Sequence, residues 1–225
     1  VSQLKASQAA ATTHYYSVQS AGAGTPNYNN DGAQAAGSMA VGAGAEVSAK
    51  GNNSTAVGLS SKVIDAENSV AMGYRNTVTG NGLNSYDNSV AIGNQNTVLN
   101  SGNSIAIGNK NTLDTAALSG LIGSANSIES GSGGYIFGAG NQVKNSVAAA
   151  ISGNSSTVGH NNTLDGVAMS SVSGFNNNVT YQNGSTVLGS FNTITGAIVG
   201  SSSRYLGNNV IGYYNNIGSS QNTTV

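Results

Sequence analysis

Apolar residues return along this chain in a two-beat rhythm. The first beat is a short triplet such as Val90-Ala91-Ile92, closed by Gly93, and the second is Val98, five residues after the glycine. The phrase then repeats as Ile105-Ala106-Ile107-Gly108 with Leu113 behind it. Anchor glycines of this kind are Gly42, Gly58, Gly73, Gly93, Gly108, Gly123, Gly138, Gly159, Gly189, Gly200 and Gly212, and Gly174 fits the spacing after Ser173. The steps between them are 16, 15, 20, 15, 15, 15, 21, 15, 15, 11 and 12 residues. A short fixed period means stacked coils, each burying its apolar residues on its neighbours.

The period selects the kind of coil. Two short strands with two turns need roughly 14–16 residues, whereas a three-sided hexapeptide coil needs about 18 and helical repeats need more. The expectation is therefore an all-β, two-sided parallel β-roll. Twelve such coils, each rising about 4.8 Å, make a rod about 60 Å long. The 20-residue and 21-residue steps predict insertions in Thr79–Asn88 and near residues 139–159. Gly153 competes with Gly159 as an anchor, and Gly159 is preferred because Asn162 follows three residues later. The steps of 11 and 12 predict two tighter coils through Gly200 and Gly212.

Within the triplet, Val90 and Ile92 share one face and Ala91 takes the other. The expectation is that the larger residues point inward. The column Ala40, Ala56, Ala71, Ala91 and Ala106 would then form an outer face where another copy approaches closely. The second beat, at Val63, Val78, Val98, Leu113, Ile128, Val143, Leu164, Val179, Ile194 and Ile217, also belongs inside. Asn recurs three residues after the glycine, at Asn76, Asn96, Asn111, Asn126, Asn141, Asn162, Asn177, Asn192 and Asn215. Glycine and then Asn tolerate positive φ best, so this pair predicts a turn, with Asn side chains bonding to backbone or stacking between coils.

Composition narrows the function. Charged residues are 7% of 225, against about 25% in ordinary domains. The seven basic residues are scattered, so no stripe exists to neutralise nucleic-acid phosphates. There is no cysteine, hence no disulfide and no thiolate chemistry. No apolar run reaches the ~20 residues of a membrane-spanning helix. Neither an initiator Met nor a signal peptide is visible, so the ends read as cuts within a longer protein.

Candidate chemistry is sparse. His14 has no neighbouring His or carboxylate to complete a metal or catalytic site, and His160 follows an anchor glycine and reads as an exposed turn residue. Asp31, Asp65, Asp87, Asp114 and Asp165 are dispersed. Hence no catalytic residue, metal or cofactor is assigned, and the chain is read as non-enzymatic. Recognition is sought in the aromatic residues Tyr28, Tyr74, Tyr86, Tyr181, Tyr205, Tyr213 and Tyr214, which combine area with a hydrogen-bonding tip. The Thr79–Asn88 loop with Leu83 and Tyr86 is the strongest candidate for a specific contact.

The phrases Asn68-Ser69-Val70-Ala71-Met72-Gly73, Asn88-Ser89-Val90-Ala91-Ile92-Gly93 and Asn103-Ser104-Ile105-Ala106-Ile107-Gly108 resemble the YadA-like head repeat of trimeric autotransporter adhesins. His14-Tyr15-Tyr16-Ser17-Val18 with Asn27–Ala33 resembles the opening of such heads, and Val1–Ala6 the tail of a neck connector. The resemblance implies a neck tail over 1–13, a head entrance or cap over 14–36, and roll repeats over 37–225. It implies a left-handed parallel β-roll, assembled as a homotrimer on the surface of a Gram-negative bacterium, with the outer-membrane anchor outside this chain. It implies attachment to host matrix such as collagen, to host cells or to other bacteria, and it makes the three phrases ligand-binding candidates. The chain departs from that pattern with Asn rather than Ser or Ala in the turn.

Other readings are a spacer in a surface fibre without a ligand of its own and an ice-binding β-solenoid. The latter needs a regular Thr-x-Thr face, and here Thr77, Thr97, Thr112, Thr163 and Thr193 recur singly. The period speaks against a hexapeptide acyltransferase, which would need coils of about 18 residues and a catalytic His at a subunit cleft.

Overall fold

The computed structural model describes residues 26–80, 87–131, 133–144, 155–167, 169–196, 207–218 and 223–225. It is an all-β parallel roll built from two sheets of 11 strands each. The first-beat strands, from Met39–Val41 to Asn209–Tyr213, make one sheet, and the second-beat strands, from Glu46–Val47 to Asn216–Gly218, make the other. Every coil gives one strand to each sheet. Register is uniform: Gly73 lies beside Gly93, Gly93 beside Gly108 and Gly138 beside Gly159. The two long steps therefore add their extra residues between Thr79 and Val90 and between Lys144 and Ser156, as the spacing predicts, and Gly159 is the anchor.

Gly189 lies directly beside Gly212. No coil intervenes, so the expected pair of tight coils through Gly200 is one coil with a step of 23 residues. Gly200 itself lies outside the described residues. Eleven strands per sheet give ten steps and a stacked length of about 48 Å at about 4.8 Å per step.

The interior corrects the expected facing of the first beat. Ala56, Ala71, Ala91 and Ala106 are fully buried, followed along the same column by Leu121, Ile136, Thr157, Val172, Val187 and Val210. Val, Ile and Met on either side of them point outward. The reason is parity. Ser104 is buried at the strand entrance, two residues before Ala106, so both share the inward face. Across the thin interior stand the second-beat residues, and here the expectation holds: Val63, Val78, Val98, Leu113, Ile128, Val143, Leu164, Val179 and Ile194 are buried. One coil thus buries Ser104, Ala106, Asn111, Leu113 and Ala116.

Two polar columns line this core. Asn111 Nδ2 donates to Asn96 Oδ1 (3.0 Å), Ile107 O (3.1 Å) and Gly123 O (2.9 Å), and its backbone N–H donates to the same Asn96 Oδ1 (3.0 Å). The pattern repeats from Asn76 to Asn215, crossing even the longest step. At the opposite edge Ser104 Oγ donates to Ala116 O and accepts from Ser119 N–H. Apart from Ser155 Oγ and Thr157 Oγ1, which have no partner, the buried groups of these columns are paired, and that pairing offsets the cost of a polar interior.

The turns are tighter than expected. The anchor glycines have φ from 109 to 144, but the left-handed residue is the one before the Asn, such as Arg75, Gln95 or Lys110, and not the Asn itself. The Asn points inward to the column, a role that the anticipated stacking between coils describes better than a turn-former. A Cβ on Gly108 would collide with the carbonyl oxygen of Gly123. At the N-terminal end Asn27 Nδ2 donates to Ala40 O and Gly42 O, and Gly44 N–H to Pro26 O, so residues 26–33 lie over the first coil.

Candidate adhesive surface

The two outer faces differ in chemistry. On the first sheet, the residue before each glycine forms the column Val41, Val57, Met72, Ile92, Ile107, Ile122, Phe137, Val158, Ser173, Leu188 and Ile211. All but Ser173 are apolar, yet Met72 is 42% exposed, Phe137 59% and Ile211 65%. Beside it runs a mixed column, Val70, Val90, Ile105, Gly120, Tyr135, Ser156, Ser171, Thr186 and Asn209. An apolar column of this length, broken at Ser173 and exposed over most of its course, is a candidate contact surface.

The second sheet presents a polar face. Its outward columns hold Thr77, Thr97, Thr112, Ser127, Gln142, Thr163, Asn178 and Thr193, and Thr79, Leu99, Asp114, Glu129, Lys144, Asp165, Thr180 and Thr195. Thr is therefore paired, not single, at Thr77–Thr79 and Thr193–Thr195. Leu99, Asp114, Glu129, Lys144 and Asp165 interrupt the second column, so the described residues form no regular Thr-x-Thr face. Lys62 pairs with Glu46 across coils at 2.7 Å, and Lys144 with Glu129 at 3.8 Å.

The three candidate phrases alternate strictly. Asn68, Asn88 and Asn103 sit at exposed left-handed corners, and Asn88 Nδ2 reaches Asn103 Oδ1 at 3.1 Å. Ser69, Ser89 and Ser104 are buried, as are Ala71, Ala91 and Ala106. Val70, Val90, Ile105, Met72, Ile92 and Ile107 face outward. Gly73, Gly93 and Gly108 pass close to the next coil's backbone. The Ser and Ala of each phrase are closed to another molecule, whereas the Asn, the Val, Ile or Met and the glycine remain accessible.

Leu83, Tyr86, Tyr205 and His14 lie outside the described residues. Tyr28, Tyr181, Tyr213 and Tyr214 are exposed, Tyr74 is half-buried under the Arg75 guanidinium (5.1 Å from its ring centroid), and His160 is exposed at a strand end. Asp87 follows the long step after Gly80. It is buried, accepts from Glu67 N–H at 3.2 Å, and has its pKa raised mainly by desolvation. The described residues contain no group of three or more His, Asp or Glu able to hold a metal.

Sequence reasoning missed the outward stripe, although the signal was present. The position two before the glycine is apolar in every coil save at Thr157, while the position three before it accepts Thr, Ser, Tyr and Asn. Tolerance of polar residues identifies the outer column. The chain matches no protein-family model and no curated protein.

Proposed function

We propose that this chain is a non-enzymatic adhesin head of the YadA-like kind, a homotrimer of β-rolls on the surface of a Gram-negative bacterium. It attaches the cell to host extracellular matrix, host cells or other bacteria, and its membrane anchor lies in a part of the protein beyond this chain. The observation that carries the reading is the exposed apolar stripe from Val41 to Ile211 on an otherwise polar roll. A surface that long and apolar is stable in water when another surface covers it. Copies packed through the first sheet would cover it and leave the second sheet and the corners outward. This places the contact on the Val, Ile and Phe face, in place of the Ala column. The Asn-Ser-Val-Ala-Ile-Gly phrases support the kinship.

Attachment would be multivalent: repeated weak contacts on three chains raise avidity without a deep pocket. Light scattering tests the assembly. A mass three times that of the chain is expected, and Ile107→Lys with Ile122→Lys should reduce it to a folded monomer. A native monomer would refute the assembly. Beads coated with the chain should attach to matrix or cells, and beads that attach to neither would leave the spacer reading.

A further inference from the structure

We propose that the ring-bearing corner near the C-terminal end of the roll is a binding platform for a neutral carbohydrate chain. Two places after each anchor glycine, the coil turns through a left-handed residue. From Gly44 to Asn176 these residues are Gly, Ser, Arg, Gln, Lys, Ala, Gly, Asn and Asn. In the next two coils they are Phe191 (φ 57) and Tyr214 (φ 56). Bulky aromatic side chains are disfavoured in this region, where Gly and Asn are at ease.

The rings are ordered against one another. Phe191 and Tyr214 stack with centroids 4.9 Å apart and planes 11° from parallel. Phe175 meets Phe191 edge-to-face at 5.3 Å, and Tyr213 flanks Tyr214 at 6.5 Å. Tyr214 holds this backbone at 73% exposure, so burial does not compensate its strain, whereas Phe191 at 36% is partly covered by its neighbours. Leu118 and Met169 hold the same backbone while exposed, so what sets this corner apart is the ordered cluster of rings around Tyr214. The backbone beneath is fixed before any ligand arrives: Phe191 N–H donates to Phe175 O at 2.9 Å and Tyr214 N–H to Ser190 O at 3.2 Å. A preformed platform binds at lower entropic cost.

The surrounding chemistry selects the ligand class. The corner positions described from Ala139 to Tyr214 hold no Lys, Arg, Asp or Glu, whereas earlier coils place Arg75 and Lys110 there. An anionic ligand finds no Lys or Arg on this stretch, only the imidazole of His160 in register with Phe175. What the corner offers is ring surface beside the amide of Asn176 and the hydroxyls of Ser190, Tyr213 and Tyr214. A sugar fits that combination: its C–H faces pack on rings, and its hydroxyls exchange hydrogen bonds with amides and phenols. Because Phe191 and Tyr214 stack, the ring face left for a sugar is the outer face of Tyr214, with Tyr213 tilted beside it. The platform needs one chain only, and it rests on the adhesive reading just in supplying that reading with a ligand class.

The test uses the whole chain, titrated with the hexasaccharide of β-1,4-linked N-acetylglucosamine and, separately, with a heparin hexasaccharide. The variant is Phe191→Asn with Tyr214→Asn, since this corner already carries Asn161 and Asn176 with the same backbone. The native chain should bind the neutral sugar weakly and with little salt dependence. The double variant should lose at least about tenfold in affinity while its melting temperature holds or rises. The proposal is overturned if the native chain ignores the neutral sugar, if only heparin binds, or if the variant binds equally. A variant that melts well below the native chain would assign the rings to packing and overturn it too. If beads coated with the chain attach to cells while the sugar is ignored, this platform fails and the adhesive reading stands. The reverse result would sink the adhesive reading alone.

Discussion

Asn111 is the residue through which the roll is most directly probed. It is fully buried and takes part in every bond that its side chain can make. Its Oδ1 accepts from both Asn126 N–H (3.1 Å) and Asn126 Nδ2 (3.0 Å). Asn111→Ala removes the two N–H donors of Nδ2, which three acceptors share, and strips the Asn126 backbone N–H of its acceptor. Asn126 Nδ2 keeps Gly138 O. An orphaned buried N–H costs about 1–3 kcal/mol, and each lost hydrogen bond about 1 kcal/mol net. A destabilisation of about 4 kcal/mol follows, with the small cavity included.

Asn111→Asp changes almost no volume and separates chemistry from packing. Its Oδ1 still accepts from Asn126. Its second oxygen, where Nδ2 stood, faces the oxygens of Asn96, Ile107 and Gly123. As a carboxylate it would meet three acceptors in a buried place, so its folded pKa must rise above the unfolded value of about 3.9. The sign is then fixed: the penalty is complete above the raised pKa and is relieved as pH falls through it. Urea unfolding by circular dichroism should rank native, Ala, then Asp at neutral pH, and Asp should recover relative to Ala in acid. Amide exchange at Asn126 should accelerate in the Ala variant. An Asp variant as stable as Ala at neutral pH, or indifferent to acid, would refute the assigned donor direction along the column.

Other consequences follow from single positions. Gly108→Ala places a methyl against the Gly123 carbonyl at φ +124 and should cost about 3 kcal/mol or more, read as a fall in urea midpoint. Thr157 stands in an otherwise apolar column with Oγ1 unpartnered, so Thr157→Val should raise stability by about 1 kcal/mol in the same assay. Asp87 has its folded pKa raised above 3.8, so the native chain loses stability as pH rises through that pKa. Asp87→Asn should flatten this slope and melt higher at neutral pH, while keeping the bond from Glu67 N–H.

Much of the roll was legible from spacing alone. The second beat marked the core correctly, and the glycine steps located the insertions. The last two steps misled because Gly200 follows an apolar residue as anchors do. Its local sequence did carry a signal, since Ser203 stands where Asn162 had favoured Gly159. The first beat misled for a different reason. Size argues that Ile goes inside and Ala outside, but Ser104 and Asn111 are held in the interior by their hydrogen bonds. Strand parity then carries Ala106 inward with Ser104. Polar residues set the facing, and the apolar ones follow. The role of the Asn column was visible in part, since stacking between coils was among its expected uses. Its turn conformation was misplaced by one residue, because a sequence does not say which of two neighbours takes φ > 0.

This division of labour bears on how such a surface can carry specificity. The interior is settled by Ser, Asn, glycine and one apolar layer, and these recur in nearly every coil. The outward corner before the Asn is under no such constraint: it is Lys110 in one coil, Ala125 in another, Phe191 and Tyr214 in others, with the same backbone beneath. Each coil can therefore exchange its exposed corner without disturbing the register of its neighbours. The cost is local, because a coil touches only the coils above and below it. A row of independent corners, each about 4.8 Å from the next, is a surface on which contacts are added one coil at a time. The aromatic run from Phe175 to Tyr214 is the place where this chain has assembled several of them side by side.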